Sequence, residues 1–452
     1  MTDSNSLLLS YYGDDLTGST DVMEALASNG VPTVLFMDQP DEALLQRFGH
    51  CGAIGLAGTS RSETPAWMDE NLTPAFTWLK SLNAAICHYK VCSTFDSSPG
   101  IGNIGKAVEI GKALFDQALV PLLVGAPQLK RYTAFGQLFA AYQGEVYRID
   151  RHPVMSRHPV TPMAEADLRL HLAGQTALTA ALADLAILAA PDSDARVDAL
   201  CRDRDGMVLF DVDSPESQAR AGAQLWRIRQ KNGWFVAGSS GVEYALLSAW
   251  REAGLIGEPA EFVLPGKAER LAVVSGSVSP TTERQICHAL DNGFDGIGLD
   301  PLVLLGEGGE QAVEKAVEAG LAILKNGRSV ILHTALGPSA DRGGEIDRIA
   351  GSRHRLGRML GAILRRLVEA EGLSRAVIAG GDTSSHALKE MHVQALTTLL
   401  PLPQTPGSPL CTAHGLHKQT NGLQIALKGG QVGADGYFAQ IRDGLRAYDG
   451  RS

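Results

Sequence analysis

Residues 13–21 read GDDLTGSTD, and the adjacent carboxylates Asp14 and Asp15 are the first groups in the chain suited to chemistry. Ionised side by side they repel, so a fold that keeps them close needs a nearby cation, a hydroxylated ligand or a shared proton. The same stretch also fits a plain helix start, with Asp as the cap. Downstream, GTSRSE (58–63) places Arg61 in a polar turn, and HYKVCSTFDSS (88–98) brings Lys90 to the end of an apolar run. Cys92, Ser93, Thr94 and Asp96 follow it. A lone Arg or Lys is usually a solvated surface charge. Here each follows a predicted strand, on the edge where α/β sheets carry ligands. Arg61 and Lys90 would bind a carboxylate, and the acids and hydroxyls would bind sugar OH groups. That combination suits a polyhydroxy acid.

A second set of residues suits phosphate. SGSVSPTTE (275–283) sets Ser275 and Ser277 ahead of Pro280, and AGGDTSSHA (379–387) carries Gly380, Gly381, Asp382 and Thr383. LKGGQVGADGYF (427–438) adds Gly429 and Gly430 beside Lys428. A helix N-terminus offers free N–H groups and the positive end of the helix dipole, and glycine lets a ligand approach the backbone. Any parallel α/β protein uses Gly and a capping Ser or Thr at such turns, so each alone is weak. None is GxxxxGK[ST], which excludes a P-loop, and none is a GxGxxG with a partner acid. A nicotinamide-dependent hydroxy-acid dehydrogenase, the first competing reading, lacks its turn. A non-enzymatic sugar-acid or nucleotide sensor, the second, lacks a visible partner module. His152 and His158 lie in a Pro-broken loop where substrate contact or exposure is the expectation, and no CxxC occurs, so His152, His158 and His333 are not assigned as a metal-ligand set.

Apolar runs alternate with amphipathic ones along the chain. Strands are predicted at 6–11, 33–37, 53–57, 85–91, 120–124, 186–190, 206–212 and 234–237, then at 271–275, 295–299, 329–333, 375–379 and 423–427. Helices are predicted between most of them, including 164–173, 356–371 and 384–396. This alternation predicts an α/β protein with mainly parallel sheets flanked by helices. Pro and Gly in LIGEPAEFVLPGKAER (255–270) mark a linker, giving two α/β domains, 1–255 and 268–446, with the active site expected in the cleft between them. At 452 residues the chain is long enough for two cores. A net charge of −10 argues against a nucleic-acid partner. No run reaches a membrane span, no signal peptide is seen, and the six cysteines read as reduced thiols, so a cytoplasmic protein is expected. A homo-oligomer is compatible with the sequence but not required by it.

The ordered set GDDLTGSTD, TSRS (59–62), KVCST (90–94), SGS (275–277), AGGDTS (379–384) and LKGGQVG (427–433) resembles the four-carbon acid sugar kinases over nearly the whole chain. The resemblance implies an N-terminal sugar-acid-binding domain and a C-terminal nucleotide-binding domain. The implied reaction is ATP-dependent phosphorylation, with Mg²⁺, of acids such as threonate, erythronate or 3-oxo-tetronate, typically at the terminal hydroxyl. Asp14 and Asp15 correspond to the acidic turn at the substrate, with Asp15 or Asp14 as the base. Arg61 and the Lys90–Thr94 segment, with Cys92, Ser93 and Thr94, match its substrate-binding residues. Ser275, Ser277, Gly380, Gly381, Asp382, Thr383, Gly429 and Gly430 match its ATP contacts. Many members carry KxDST followed by Arg-Gly; here Cys92 replaces the acid, and Asp96 is the nearest carboxylate. The His- and Arg-rich stretch 151–168 also departs from the pattern. These departures are similar to a branch acting on branched oxo-acids such as 3-oxo-isoapionate.

Overall fold

The structure is a computed structural model. It describes residues 7–202, 204–230, 233–402, 405, 407–430 and 432–444, apart from the side chain of Asp382. The chain divides into two compact units, Met1–Ala260 and Glu261–Ser452.

In the first unit the parallel strands are β1 (Leu9–Gly13), β2 (Thr33–Phe36), β3 (Ala53–Ala57), β4 (Ile86–Lys90) and β5 (Leu119–Leu123). A hairpin sheet follows, β6 (Arg131–Ala134), β7 (Gln137–Tyr142) and β8 (Glu145–Arg148), and then β9 (Thr179–Ala183), β10 (Gly206–Phe210) and β11 (Phe235–Gly238). The main sheet runs β2-β3-β1-β4-β11-β5-β10-β9. Its strands are apolar on both faces because helices cover both, as parallel crossovers require. Tyr12 and Tyr89 stack at 6.1 Å, and the Phe76 ring meets Tyr89 at 5.7 Å and Phe235 at 5.2 Å. This aromatic layer fixes β1 against β4 and β11. Register then sets Gly13 opposite both Ala57 and Lys90, and Lys90 opposite Gly238. The loops leaving β1, β3 and β4 therefore emerge at one sheet edge.

The second unit holds β12 (Ala272–Ser275), β13 (Phe294–Gly298), β14 (Ser329–His333), β15 (Arg375–Ala379), β16 (Val393–Leu400), β17 (Leu410–Gly415) and β18 (Gln424–Lys428). Their order is β13-β14-β12-β15-β18-β17-β16, parallel except for β17, which runs antiparallel to both neighbours. Ser275, Ala379 and Lys428 end three adjacent strands at one edge.

The two-unit α/β architecture and most strands match the sequence expectation, and three stretches differ. The apolar run predicted as a strand at 186–190 is the helix Leu185–Ala189, because Asp184 caps it by accepting from Ile187 N; the strand lies earlier, at β9. The helix predicted over 384–396 ends at Glu390. His392 adopts a left-handed φ of 56°, and the β-branched run after it forms β16. The hairpin β6–β8 was not predicted. Its turns are Phe135-Gly136 and Gln143-Gly144, all with positive φ, the conformation of two-residue hairpin loops.

Candidate active site

Asp15 caps the helix Leu16–Ser28 by accepting from Gly18 N, and Asp14 precedes it with its N–H on the Lys90 carbonyl at 2.9 Å. Arg61 lies in the short turn Ser60–Ser62 after β3, and its N–H donates to the Asp14 carbonyl at 3.1 Å. Backbone bonds thus tie the three loops together before any side chain is considered. Gly18 leaves little room for a side chain. A Cβ would lie 3.0 Å from Asp15 Oδ1, 3.1 Å from Lys90 Nζ and 3.7 Å from Asp14 Oδ1, so those three groups converge on one spot.

The side chains form an ordered ion network. Arg61 Nη1 donates to Asp15 Oδ2 at 2.6 Å, and Nη2 meets both Asp96 oxygens at 3.1 and 3.0 Å. Thr94 donates to Asp96 Oδ1, and the Thr161 hydroxyl donates to Asp96 Oδ2 at 3.2 Å. The Thr161 backbone N–H donates to His158 Nδ1 at 3.1 Å. Asp96 thus pairs with Arg61 four residues beyond the position that Cys92 occupies. The Thr94 hydroxyl also lies 3.0 Å from Cys92 Sγ, and Ser93 is half-buried beside it. Lys90 is buried, with Nζ 3.0 Å from the Val91 carbonyl and 3.7 Å from Asp21 Oδ2.

The electrostatics separate the two adjacent aspartates. Asp14 is 5% exposed, and its Oδ1 is buried without a hydrogen-bond partner. Burial, then the neighbouring Asp15 charge, pushes its pKa up to about 7, against the pull of Arg61 and Lys90. Burial disfavours the Lys90 charge, but Asp21 and Asp14 outweigh it and hold the pKa above the ordinary lysine value. Burial also raises Asp96, yet Arg61 and the Thr94 hydroxyl prevail and keep it below the usual carboxylate range.

One further cation faces this region. Arg131, at the start of β6, sits within electrostatic reach of Cys92 and of His152. Its Nη1 donates to the carbonyls of Leu129 at 3.0 Å and Lys130 at 3.2 Å, while its buried Nε has no partner. Among the described residues no carboxylate pairs with it. Sequence reading missed Arg131 because the unpredicted hairpin carries it; the signal was a pair of x-Gly turns between short alternating runs. It also left Asp21 and Thr161 aside, which reach the site through chain folding alone.

In the second unit the turns after β12, β15 and β18 border a cavity of about 510 Å³. Ser277, Gly380, Gly381, Thr383 and Gly430, expected from sequence, line it. Ser275 is fully buried beneath it; its carbonyl accepts from Thr334 N at 3.0 Å, and its hydroxyl lies 3.4 Å from Ser277 N. Gly429 is not among the lining residues, and its carbonyl accepts from Lys428. The backbone of Asp382 lies in the first turn of the helix Gly381–Glu390, and its side chain falls outside the described residues. Ser279 caps the helix Pro280–Leu290, so two helix N-termini face the cavity with their open N–H groups. Thr334, Arg342 and Arg353 add to the wall and were not expected. Arg342 pairs with Asp300 and Glu345, and Arg353 with Asp347.

One unit thus carries a cluster of acids, hydroxyls and cations, and the other a cavity walled by glycine turns at helix N-termini, a combination that fits the phosphotransferase class. Residues 9–246 match the family of sugar-binding N-terminal domains, and residues 272–438 match that of nucleotide-binding C-terminal domains. The chain belongs to the four-carbon acid sugar kinase family. It is 45% identical to the 3-oxo-isoapionate kinase of Paraburkholderia graminis over 450 residues, covering 98% of this chain and 95% of that one. It is 27% identical to the 3-oxo-tetronate kinase of Cupriavidus necator, covering 95% of both. The fold is shared with the solved structure of Haemophilus influenzae protein HI1011, with a TM-score of 0.71 and 23% identity, over 96% of this chain and 98% of that one. Among the described residues no helix is long and apolar enough to cross a membrane.

Proposed function

We propose that this protein transfers the terminal phosphoryl group of ATP to a hydroxyl, the terminal one, of a branched oxo sugar acid of the 3-oxo-isoapionate type. The 45% identity to a 3-oxo-isoapionate kinase over almost the whole chain carries the choice of acid. On this reading residues 1–255 bind the acid and 268–446 the nucleotide.

Phosphoryl transfer rests on positioning and charge neutralisation. Asp14 accepts the hydroxyl proton: it has an unbonded oxygen, and a pKa near 7 suits a base working at neutral pH. Asp15, held by Gly18 N and Arg61, frames the acceptor. Arg61, although joined to Asp15 and Asp96, keeps further N–H donors and is about 30% exposed, so it also meets substrate oxygens. Lys90 and the hydroxyls of Ser93 and Thr94 complete the polyol side. Arg131, the cation without an acidic partner, takes the substrate carboxylate. At the nucleotide, Ser277, Gly380, Gly381, Thr383 and Gly430 contact the phosphates, with Ser275 and Gly429 shaping those turns from behind. Among the described residues no three His, Cys, Asp or Glu side chains gather into a cation cage. That suits Mg²⁺ carried on phosphate and water, with Asp382 the carboxylate nearest in sequence to these turns. Bound there, the ion would neutralise phosphate charge.

The test is an ADP-release assay across tetronic, 3-oxo-tetronic and branched 3-oxo acids. Turnover is expected to be fastest with the branched oxo-acid. Preference for 3-oxo-tetronate moves the assignment to that substrate, and silence with every acid, while ADP binds, removes the substrate class.

A further inference from the structure

Lys428 ends β18 directly behind the glycine turn that walls the nucleotide cavity, and it is 1% exposed. Its ammonium donates to Thr282 Oγ1 at 3.0 Å and to the carbonyls of Gly429 at 2.8 Å and Gly430 at 3.4 Å. Thr282 closes the ring, because its hydroxyl lies 3.2 Å from the Gly430 carbonyl and 2.9 Å from Ser277 Oγ. One nitrogen therefore joins the β18 turn to the first turn of the helix Pro280–Leu290. All three of its partners are neutral.

Among the described residues, the helix Pro280–Leu290 and β15 supply no countercharge; on the helix Gly381–Glu390, which also packs against β18, the Asp382 side chain falls outside the described residues. On the helix, Glu283 turns its carboxylate to the backbone of Gly337, Arg284 pairs with Asp435 at 3.0 Å, and Gln285 donates to the Val432 and Ala434 carbonyls. His288 is one turn further on, against Asn292. On the neighbouring strand β15 the charged residue is Arg375, at the opposite end of the register, bonded to Gln424. Among the described residues no acid faces the Lys428 ammonium.

We propose that Lys428 is a positioning residue whose charge is matched only by a bound nucleotide: it holds the two cavity turns together, and phosphate binding and Lys428 protonation favour each other. This rests on reading the second unit as the nucleotide site. The physical argument is one of desolvation. A buried ammonium with neutral partners is disfavoured, and burial lowers its pKa to about 8. Polyphosphate against Ser277 and Gly430 brings the missing negative charge close by and raises that pKa. A neutral amine has only two N–H groups for three acceptors, so deprotonation also releases one tie in the turn. Lys428 has no donor left for the phosphates. Its action is through its field and through the turn it holds.

The sign of the linkage follows. Above about pH 8 the free protein has lost this proton, so nucleotide binding must recover it, and affinity falls as pH rises. Calorimetric titration of the full-length protein with ADP and Mg²⁺ at pH 8.5, in two buffers of different ionisation enthalpy, measures the proton directly. ADP phosphates are fully ionised at that pH and contribute none. Uptake of about half a proton is expected, with affinity falling about three- to tenfold between pH 7.5 and 9. Lys428→Met should bind more weakly at pH 7.5, with no uptake and no pH dependence. Lys428→Arg keeps its charge, so its uptake should also vanish even if its geometry is imperfect. Binding by the unmutated protein without proton uptake at pH 8.5, or uptake undiminished in either variant, overturns the proposal. Failure of the unmutated protein to bind ADP at all overturns the nucleotide reading, and this inference with it.

Discussion

Arg61 Nη1 stands 2.6 Å from Asp15 Oδ2, and that contact leaves two adjacent carboxylates with different bonding. Asp15 has one oxygen on Arg61 and the other on Gly18 N. Asp14 keeps a buried oxygen with no partner and a pKa of about 7. A base needs a vacant lone pair and a proton affinity matched to its working pH, and Asp14 has both.

Asp14→Asn should therefore lower kcat at least about 100-fold while leaving ADP affinity intact. In the unmutated enzyme kcat/KM should rise with pH through about 7, since the base works ionised. The same substitution should stabilise the fold. Free aspartate ionises near 3.8, whereas Asp14 in the fold holds its proton to about 7, so ionisation favours the unfolded chain and stability falls across that window. Denaturation at pH 8 should show the Asn variant unfolding later. Retained turnover would return the base role to Asp15.

Arg131→Gln removes the guanidinium charge while keeping a shorter polar side chain. KM for the acid should rise about 10- to 100-fold, the worth of charge-assisted hydrogen bonds, with kcat changed little. Steady-state kinetics separate the two, and an unchanged KM assigns the carboxylate to Arg61 or Lys90 instead.

Asp96→Asn weakens the grip on Arg61 and should destabilise the protein by about 1–3 kcal/mol at neutral pH. The Asp96 pKa is depressed, so its stabilisation is present above the ordinary aspartate range and is lost as pH falls through the lower folded value. Urea unfolding of the two proteins should therefore converge in acid. A gap that persists there points to packing rather than charge.

Gly276→Ala would set a methyl 2.2 Å from Thr383 Oγ1, inside the nucleotide cavity. ADP affinity should fall at least about tenfold, and adding Thr383→Ala should recover part of it if the clash is the cause. Fluorescence titration with a nucleotide analogue reads both. Normal binding by the single variant would show that the turn can yield.

The local signals legible in the sequence were those with a period or a cap. Parallel strands such as β3, β14 and β15 announce themselves as apolar runs, and Asp15, Ser279 and Gly380 mark the helix starts. Asp14 and Asp15 could be located but not told apart, because what separates them is Arg61, 46 residues on, and depth of burial. Arg131 was illegible for a similar reason. Nothing in RYTA distinguishes a half-buried guanidinium without an acidic partner from a solvated one. At 185–189 an apolar run was decided by the cap before it, a one-residue effect that outweighed composition.

The order in which the turns leave the ribosome adds a consequence of topology. The acid site draws Asp14, Asp15, Arg61, Lys90 and Asp96 from strands β1, β3 and β4, all made within the first hundred residues. The nucleotide cavity needs β12, β15 and β18, and β18 lies between β15 and β17 within the sheet. A nascent chain stalled before residue 424 has the segments of its acceptor site but lacks a wall of its donor site. On the reading proposed above, the nucleotide site is closed only once β18 has been made.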